Sequence, residues 1–241
     1  MGEHGKHWSL VIRFACLAIA FSASFAEAQS CRQALAVGLD VSGSVDPTEY
    51  QMQRDGLASA LMSSAVRDVI LRAGTAPIDI AVFEWSGPQH QVMLQPWVTV
   101  DGADTLAGIA GNLRNSPRVN GSPTTAIGAA LLFGASLLDE RQNCWKQTLD
   151  ISGDGQANTG PRPQDVIGVS PTTVVNALVI GAPRGMSETK ELSSYFSAYV
   201  IRGSGAFVEV ANGFEDYAAA MERKLLRELQ SLALSAVDES H

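Results

Sequence analysis

The sequence predicts an α/β protein: a doubly wound, mostly parallel sheet with one antiparallel edge strand and helices on both faces. Two observations carry the prediction. Short apolar runs over residues 34–40, 78–85, 146–152 and 173–180 have the length of strands, and the first is as unbroken as a strand buried on both faces. Stretches of helical character separate these runs, as crossover connections between parallel strands require. A third observation places the interest of the molecule. The run 34–40 stops at Asp40 and enters Val41-Ser42-Gly43-Ser44, and the run 146–152 enters Gly153-Asp154-Gly155. In such sheets ligands bind outside the carboxyl ends of the strands, where the strand order reverses.

Residues 1–28 read as a secretory signal. Lys6 and Arg13 give a positive start, residues 14–25 are mostly apolar but too short to span a bilayer, and Ala26-Glu27-Ala28 is an A-x-A cleavage site. Cleavage before Gln29 is expected, with no membrane span in the mature form and a periplasmic or secreted location. What remains is one domain over residues 29–231 and a flexible acidic tail over 232–241. The formal net charge is −8, and the signal contributes none of it, because Lys6 and Arg13 balance Glu3 and Glu27. An acidic mature chain without a basic patch argues against a nucleic-acid partner.

Two cysteines remain after the signal, Cys31 and Cys144, and in an exported protein a pair suggests a disulfide. They lie nine and ten residues before Asp40 and Asp154. If the two strands are parallel neighbours, both cysteines fall at the edge opposite the acids, where a bridge is possible.

The elements follow in order. Asp46-Pro47-Thr48-Glu49 combines an N-cap, a proline at the first helical position and a glutamate three residues after the cap. It predicts a helix from residue 47 to about 69, with a break. The strand 78–85 is followed across Ser86-Gly87-Pro88 by an antiparallel strand at 90–98. A short helix is expected at 104–115. A loop at 118–125 feeds a small-residue helix at 126–139. Residues 187–200 are helical in character, and 206–210 form a last short strand. Residues 214–229 form the clearest amphipathic helix, with Phe214, Tyr217, Ala218, Met221, Leu225 and Leu229 at helical spacing.

Asp40, Ser42 and Ser44 place a carboxylate and two hydroxyls within a few residues at one strand end. Asp154 comes from a second strand end, and Thr124 or Thr125 from the helix start between them. All offer hard oxygen atoms, the ligand type that Mg²⁺, Mn²⁺ or Ca²⁺ prefers. Read separately, the serines and Asp46 serve as turn and cap residues and the threonines as N-caps. Three separated pieces converging on one rim are harder to attribute to chance.

On these residues the chain resembles a von Willebrand factor A-type domain, whose metal-ion-dependent adhesion site has the pattern D-x-S-x-S, then a threonine, then an aspartate on a third loop. The stretches Leu39-Asp40-Val41-Ser42-Gly43-Ser44-Val45-Asp46, Phe83-Glu84-Trp85-Ser86-Gly87 and Asp150-Ile151-Ser152-Gly153-Asp154-Gly155 also resemble a bacterial exported branch, the DUF1194 group. Thr125-Ala126-Ile127-Gly128 looks like the Thr-Ala-Ile-Gly of many bacterial members and favours Thr125, while Thr124 fits the integrin-type spacing. The usual strand-Thr-Asp-Gly is Ser152-Gly153-Asp154-Gly155 here. The resemblance implies a divalent cation held by Asp40, Ser42, Ser44, Thr125 or Thr124, and Asp154. It also implies an open position that accepts the carboxylate of a partner protein's Asp or Glu.

Two other readings compete. Asp40 on a strand end, Gly153-Asp154-Gly155, Asn158 and Lys146 faintly resemble haloacid-dehalogenase-type phosphatases. Those enzymes need a second aspartate two residues after the nucleophile, and Ser42 stands there, unable to act as a general acid at neutral pH. No Ser/His/Asp or Cys/His set stands out, so a non-enzymatic chain is expected. The remaining reading is a structural domain without metal. Trp85 is expected to pack in the core, with a place for Glu84 and Trp85 at the ligand surface as the alternative. Asn158 and the region of Arg162 are candidates for partner contact.

Overall fold

A computed structural model describes residues 31–119, 121–181 and 185–238. The expected signal, residues 1–28, lies outside the described residues. The elements run in the order β1 (Cys31–Asp40), α1 (Pro47–Met62), α2 (Ser64–Ile70), β2 (Ile78–Trp85), β3 (Gln91–Val100), α3 (Ala103–Asn115), α4 (Ile127–Asp139), β4 (Cys144–Gly153), β5 (Val174–Ile180), α5 (Met186–Tyr199), β6 (Val208–Ala211) and α6 (Tyr217–Asp238). The six strands lie in the order β3-β2-β1-β4-β5-β6, all parallel except β3, which runs antiparallel to β2 at one edge.

Every residue of β1 and β2 is buried, as strands covered on both faces must be. Leu35, Val37 and Leu39 meet one core with α1, α2, α3 and α6. Ala34 and Ala36 meet the other, with α4 and α5. The expected break in the first helix falls at Ser63, which ends α1 in extended backbone and caps α2 by accepting from Val66 N–H. At the start of α1 the capping box is complete, with Asp46 accepting from Thr48 and Glu49 N–H while Glu49 accepts from Asp46 N–H. Trp85 is fully buried in the core, as expected. Helix α6 continues to Asp238, past the point where the sequence suggests a tail, and residues 239–241 lie outside the described residues.

Cys31 and Cys144 face each other in register on β1 and β4 and form a disulfide, with Cα atoms 4.3 Å apart. It ties the two central strands at the edge away from Asp40 and Asp154. The strand order reverses between β1 and β4, and the crevice at their carboxyl ends is where the acids emerge.

Candidate metal centre

Asp40 is the last residue of β1 and has no exposed surface. Its Oδ1 accepts a 2.7 Å hydrogen bond from Ser42 N–H, which folds the following turn back over the carboxylate. Ser42 is also fully buried, and its Oγ lies 3.5 Å from Ser44 Oγ. Ser44 in turn donates to Asp154 Oδ1 at 2.8 Å. Four of the six site residues expected from the sequence are thus linked, from two strand ends that are neighbours in the sheet.

The turn has a tight seat. A Cβ at Gly43 would sit 2.9 Å from the Pro123 backbone, and Gly43 N–H donates to Pro123 O at 3.3 Å. Only glycine lets the loop carrying both threonines approach this closely. The two threonines then differ. Thr124 Oγ1 is 2.8 Å from Ser122 Oγ. Thr125 is 6% exposed, and among the described residues no hydrogen bond engages its hydroxyl. Its backbone is held on both sides by Asn158, whose Oδ1 accepts from Thr125 N–H at 2.9 Å and whose N–H donates to Thr125 O at 3.0 Å. Helix α4 carries no side-chain cap at Ala126, so capping does not account for a threonine there. A Cβ at Gly128 would collide with Pro161 O, so the first turn of α4 packs directly on the loop that follows Asp154.

Gly153, where the adhesion-site pattern usually has threonine, leaves room beside the acid. A Cβ there would lie 3.5 Å from Asp40 Oδ2 and 3.1 Å from the Phe196 ring. That Oδ2 is buried and, among the described residues, accepts no hydrogen bond of normal geometry. Burial, and then the neighbouring Asp154 carboxylate, push Asp40 up to about 7, against the opposing pull of its Ser42 and Asp154 hydrogen bonds. Burial likewise raises Asp154. Two carboxylates with no cation between them, one wholly desolvated, are costly when ionised. A divalent cation with oxygen preference relieves both at once, and the three serine and threonine hydroxyls add neutral oxygen donors. The residues present therefore fit a hard divalent cation.

Supports for the site were only partly visible in the sequence. Gln53 donates to Asp40 O at 2.8 Å from the middle of α1. Tyr50 donates to buried Glu84, which also faces His90 at 3.3 Å. Arg54 and Arg118 stack over the Tyr50 ring at 4.5 and 5.4 Å, and Arg118 donates to Val45 O at 2.6 Å. Glu84 is therefore a buried anchor for Tyr50, which packs with Val41 and Val45, and has no exposed surface to offer a ligand. Asn158 positions Thr125, and Arg162 is occupied by an exposed ion pair with Asp165 at 2.6 Å.

Beside Asp154 a cleft of about 400 Å³ is lined by Asp46, Glu49, Phe214 and Glu215. On its other side a second, about 280 Å³, is lined by Gln156, Glu188 and Leu192. A larger cleft of about 660 Å³ between α5 and β6 is lined by Thr189, Lys190, Ser193 and Asn212, and neither acid lines it. Cys31, Asp79 and Cys144 also cluster, but the two sulfurs are bonded to each other and offer no thiolate to a metal.

Strand order and flanking helices are those of a von Willebrand factor A-type fold. Among solved structures the chain is similar to the von Willebrand factor type A protein from Catenulispora acidiphila (TM-score 0.55, 15% identity, covering 83% of this chain and 43% of that one). It is similar to proximal thread matrix protein 1 from the mussel byssus, solved with a zinc-occupied MIDAS motif (TM-score 0.55, 19% identity, 83% and 48%). It is also similar to the conserved hypothetical protein BatB from Bacteroides thetaiotaomicron (TM-score 0.53, 13% identity, 83% and 98%). The chain thus spans about half the length of the byssus protein. No curated protein matches it. Residues 30–233 match the family described as "Protein of unknown function (DUF1194)", and the chain belongs to that family.

Proposed function

We propose that this chain is an exported, divalent-cation-dependent protein-binding domain of adhesion type. Asp40, Ser42, Ser44, Thr125 and Asp154 hold the ion, with Thr124 the alternative to Thr125. A cation held by these residues would supply an electrophilic centre able to accept the carboxylate of a partner's Asp or Glu. Mg²⁺ fits this best, since it takes few protein oxygens and keeps exchangeable positions, and Mn²⁺ or Ca²⁺ can replace it. The observation that carries the reading is the orphaned, buried Asp40 Oδ2 at the strand-order reversal. The free Thr125 hydroxyl supports Thr125 over Thr124, whose hydroxyl is already engaged by Ser122.

Export is supported by the A-x-A site after an apolar run and by the disulfide. Among the described residues no helix is long and apolar enough to cross a membrane. Binding, without catalysis, is supported by Ser42 at the place where a phosphatase of this architecture needs an acid. Lys146, on β4, is eight residues before Asp154, which follows the strand end, roughly 26 Å away at ~3.3 Å per residue, and it does not reach the rim.

The test is a pull-down from envelope extract with and without chelator, comparing wild type with Asp40→Ala. Partners retained with Mg²⁺, and lost both with chelator and in the variant, support the proposal. Capture indifferent to both overturns it. Robust metal-dependent phosphatase turnover, lost in Asp40→Asn, would replace it with the enzyme reading.

A further inference from the structure

A second cluster of ionisable groups lies under α6 and takes no part in the rim. Lys224, Asp150 and Glu228 are 0%, 1% and 1% exposed. Asp150 stands on β4 and faces α6, with Asn176 beside it in register on β5. Lys224 and Glu228 are one helical turn apart on α6. The Lys224 Nζ touches Asp150 Oδ2 and lies 2.7 Å from Glu228 Oε1. Neither Asp150 oxygen accepts a hydrogen bond of normal geometry among the described residues, although the amine is against one of them. Asn176 Nδ2 donates to Glu228 Oε1, and its Oδ1 accepts from Phe207 N–H at 3.1 Å. The Phe207 ring covers the amine, with Nζ 5.6 Å from its centroid. Lys146, also on β4, reaches Glu228 O at 3.5 Å.

This arrangement is expensive as an ordinary ion network, because three charge-bearing groups have left water. It is also an amine and a carboxyl group held in contact, without water, beside a third group that can move protons. Proximity of that kind replaces the entropy that an intermolecular condensation would lose. Dryness removes the water that would reverse it.

We propose that Lys224 and Asp150 join in an intramolecular amide bond, with Glu228 as the proton-transferring group. Burial, and then Glu228, raise Asp150 well above the usual carboxylate range, so Asp150 is the protonated, electrophilic member. Burial opposes charge on Lys224, but Asp150 and Glu228 outweigh it and hold the amine protonated until a base acts. Against its own burial, Lys224 keeps Glu228 ionised, so the carboxylate can accept a proton, although the neighbouring ammonium lowers its affinity for one. Glu228 takes a proton from Nζ, and the freed lone pair forms the N–C bond to Asp150 Cγ. The C–O bond to the Asp150 hydroxyl breaks, and that hydroxyl leaves as water with the proton carried by Glu228. The second proton lost by nitrogen stays on Glu228. An ammonium, a carboxylate and a carboxylic acid thus become an amide, a neutral carboxylic acid and one water. The three ionisable groups are left without charge, and β4, the strand leading to Asp154, is stapled to the last helix.

The proposal is tested on the mature chain with its N-terminus defined by sequencing and its disulfide reduced. Intact-mass spectrometry is expected to give a mass lower than the sequence by one water in the bulk of the molecules. Proteolytic mapping is expected to give one branched peptide joining Asp150 to Lys224, with trypsin unable to cut after Lys224. Glu228→Gln, close in shape, should restore the full mass. The wild-type result stands alone if that variant does not fold. Full mass in the wild type overturns the proposal, as do a linear peptide that has lost water, a branch through Lys146, or loss of ammonia, which would place the bond at Asn176.

Discussion

Strand β4 brings two aspartates to two different fates. Asp150 is buried in the middle of the sheet and meets Lys224 and Glu228, so the chain itself supplies its partner. Asp154, four residues later at the strand end, faces Asp40 across the crevice and meets only serine hydroxyl, with no cation among the described residues. The interior cluster is closed and needs nothing from outside. The rim is a set of oxygen acceptors with one buried atom left over, open to clefts on both sides. The difference teaches that burial of acids alone does not mark a binding site. What distinguishes the rim is a buried, orphaned carboxylate oxygen with no ammonium beside it among the described residues.

Breaking the interior side should have the largest effect. Lys224→Met removes the side-chain nitrogen held between Asp150 and Glu228, leaves two buried acids facing each other, and should cost about 3–5 kcal/mol, read by denaturant unfolding. Cys31→Ser should cost about 2–5 kcal/mol, since it frees a bridge that closes a long loop between β1 and β4, and reduction of the wild type should reproduce it.

The rim should respond differently. Asp40→Asn should leave the metal-free chain as stable or more so, because it removes a desolvated charge, while abolishing the rise in melting temperature on adding Mg²⁺ or Mn²⁺. At a metal concentration near 100 times Kd, the wild type should gain about 2.7 kcal/mol. The pH dependence sharpens the contrast. Asp40 is raised in the folded chain from 3.8 to about 7. A raised carboxylate favours the fold while it is protonated, so the metal-free chain loses stability as the pH rises from its unfolded value through about 7. Metal competes with that proton, so the stabilisation by metal should grow over the same window. The smallest effects separate the threonines: Thr125→Ala should weaken metal binding more than Thr124→Ala in the same thermal titration.

The sheet, its antiparallel edge and the disulfide were legible because each rests on local chemistry. Unbroken apolar runs, a Ser-Gly-Pro turn and two cysteines at matching distances from strand ends are all short-range signals. The rim was legible because D-x-S-x-S fixes three donors by itself, and Asp154 repeats the strand-end acid. The anchors were not. Tyr50 meets Glu84 and Gln53 meets Asp40 only after α1 has docked, and no spacing along the chain announces either contact. Lys224 and Glu228 were hidden for a related reason. Their i,i+4 spacing on an amphipathic helix normally reads as an exposed salt bridge, and only the docking of α6 over Asp150 and Asn176 turns that pair inward.

The most direct measurement is calorimetric titration of Mn²⁺ into the chelator-treated chain, wild type against Asp40→Asn. The account predicts a single saturable site in the wild type that is lost in the variant, with both proteins showing the same circular dichroism. No binding to the wild type, or equal binding to both, would contradict it.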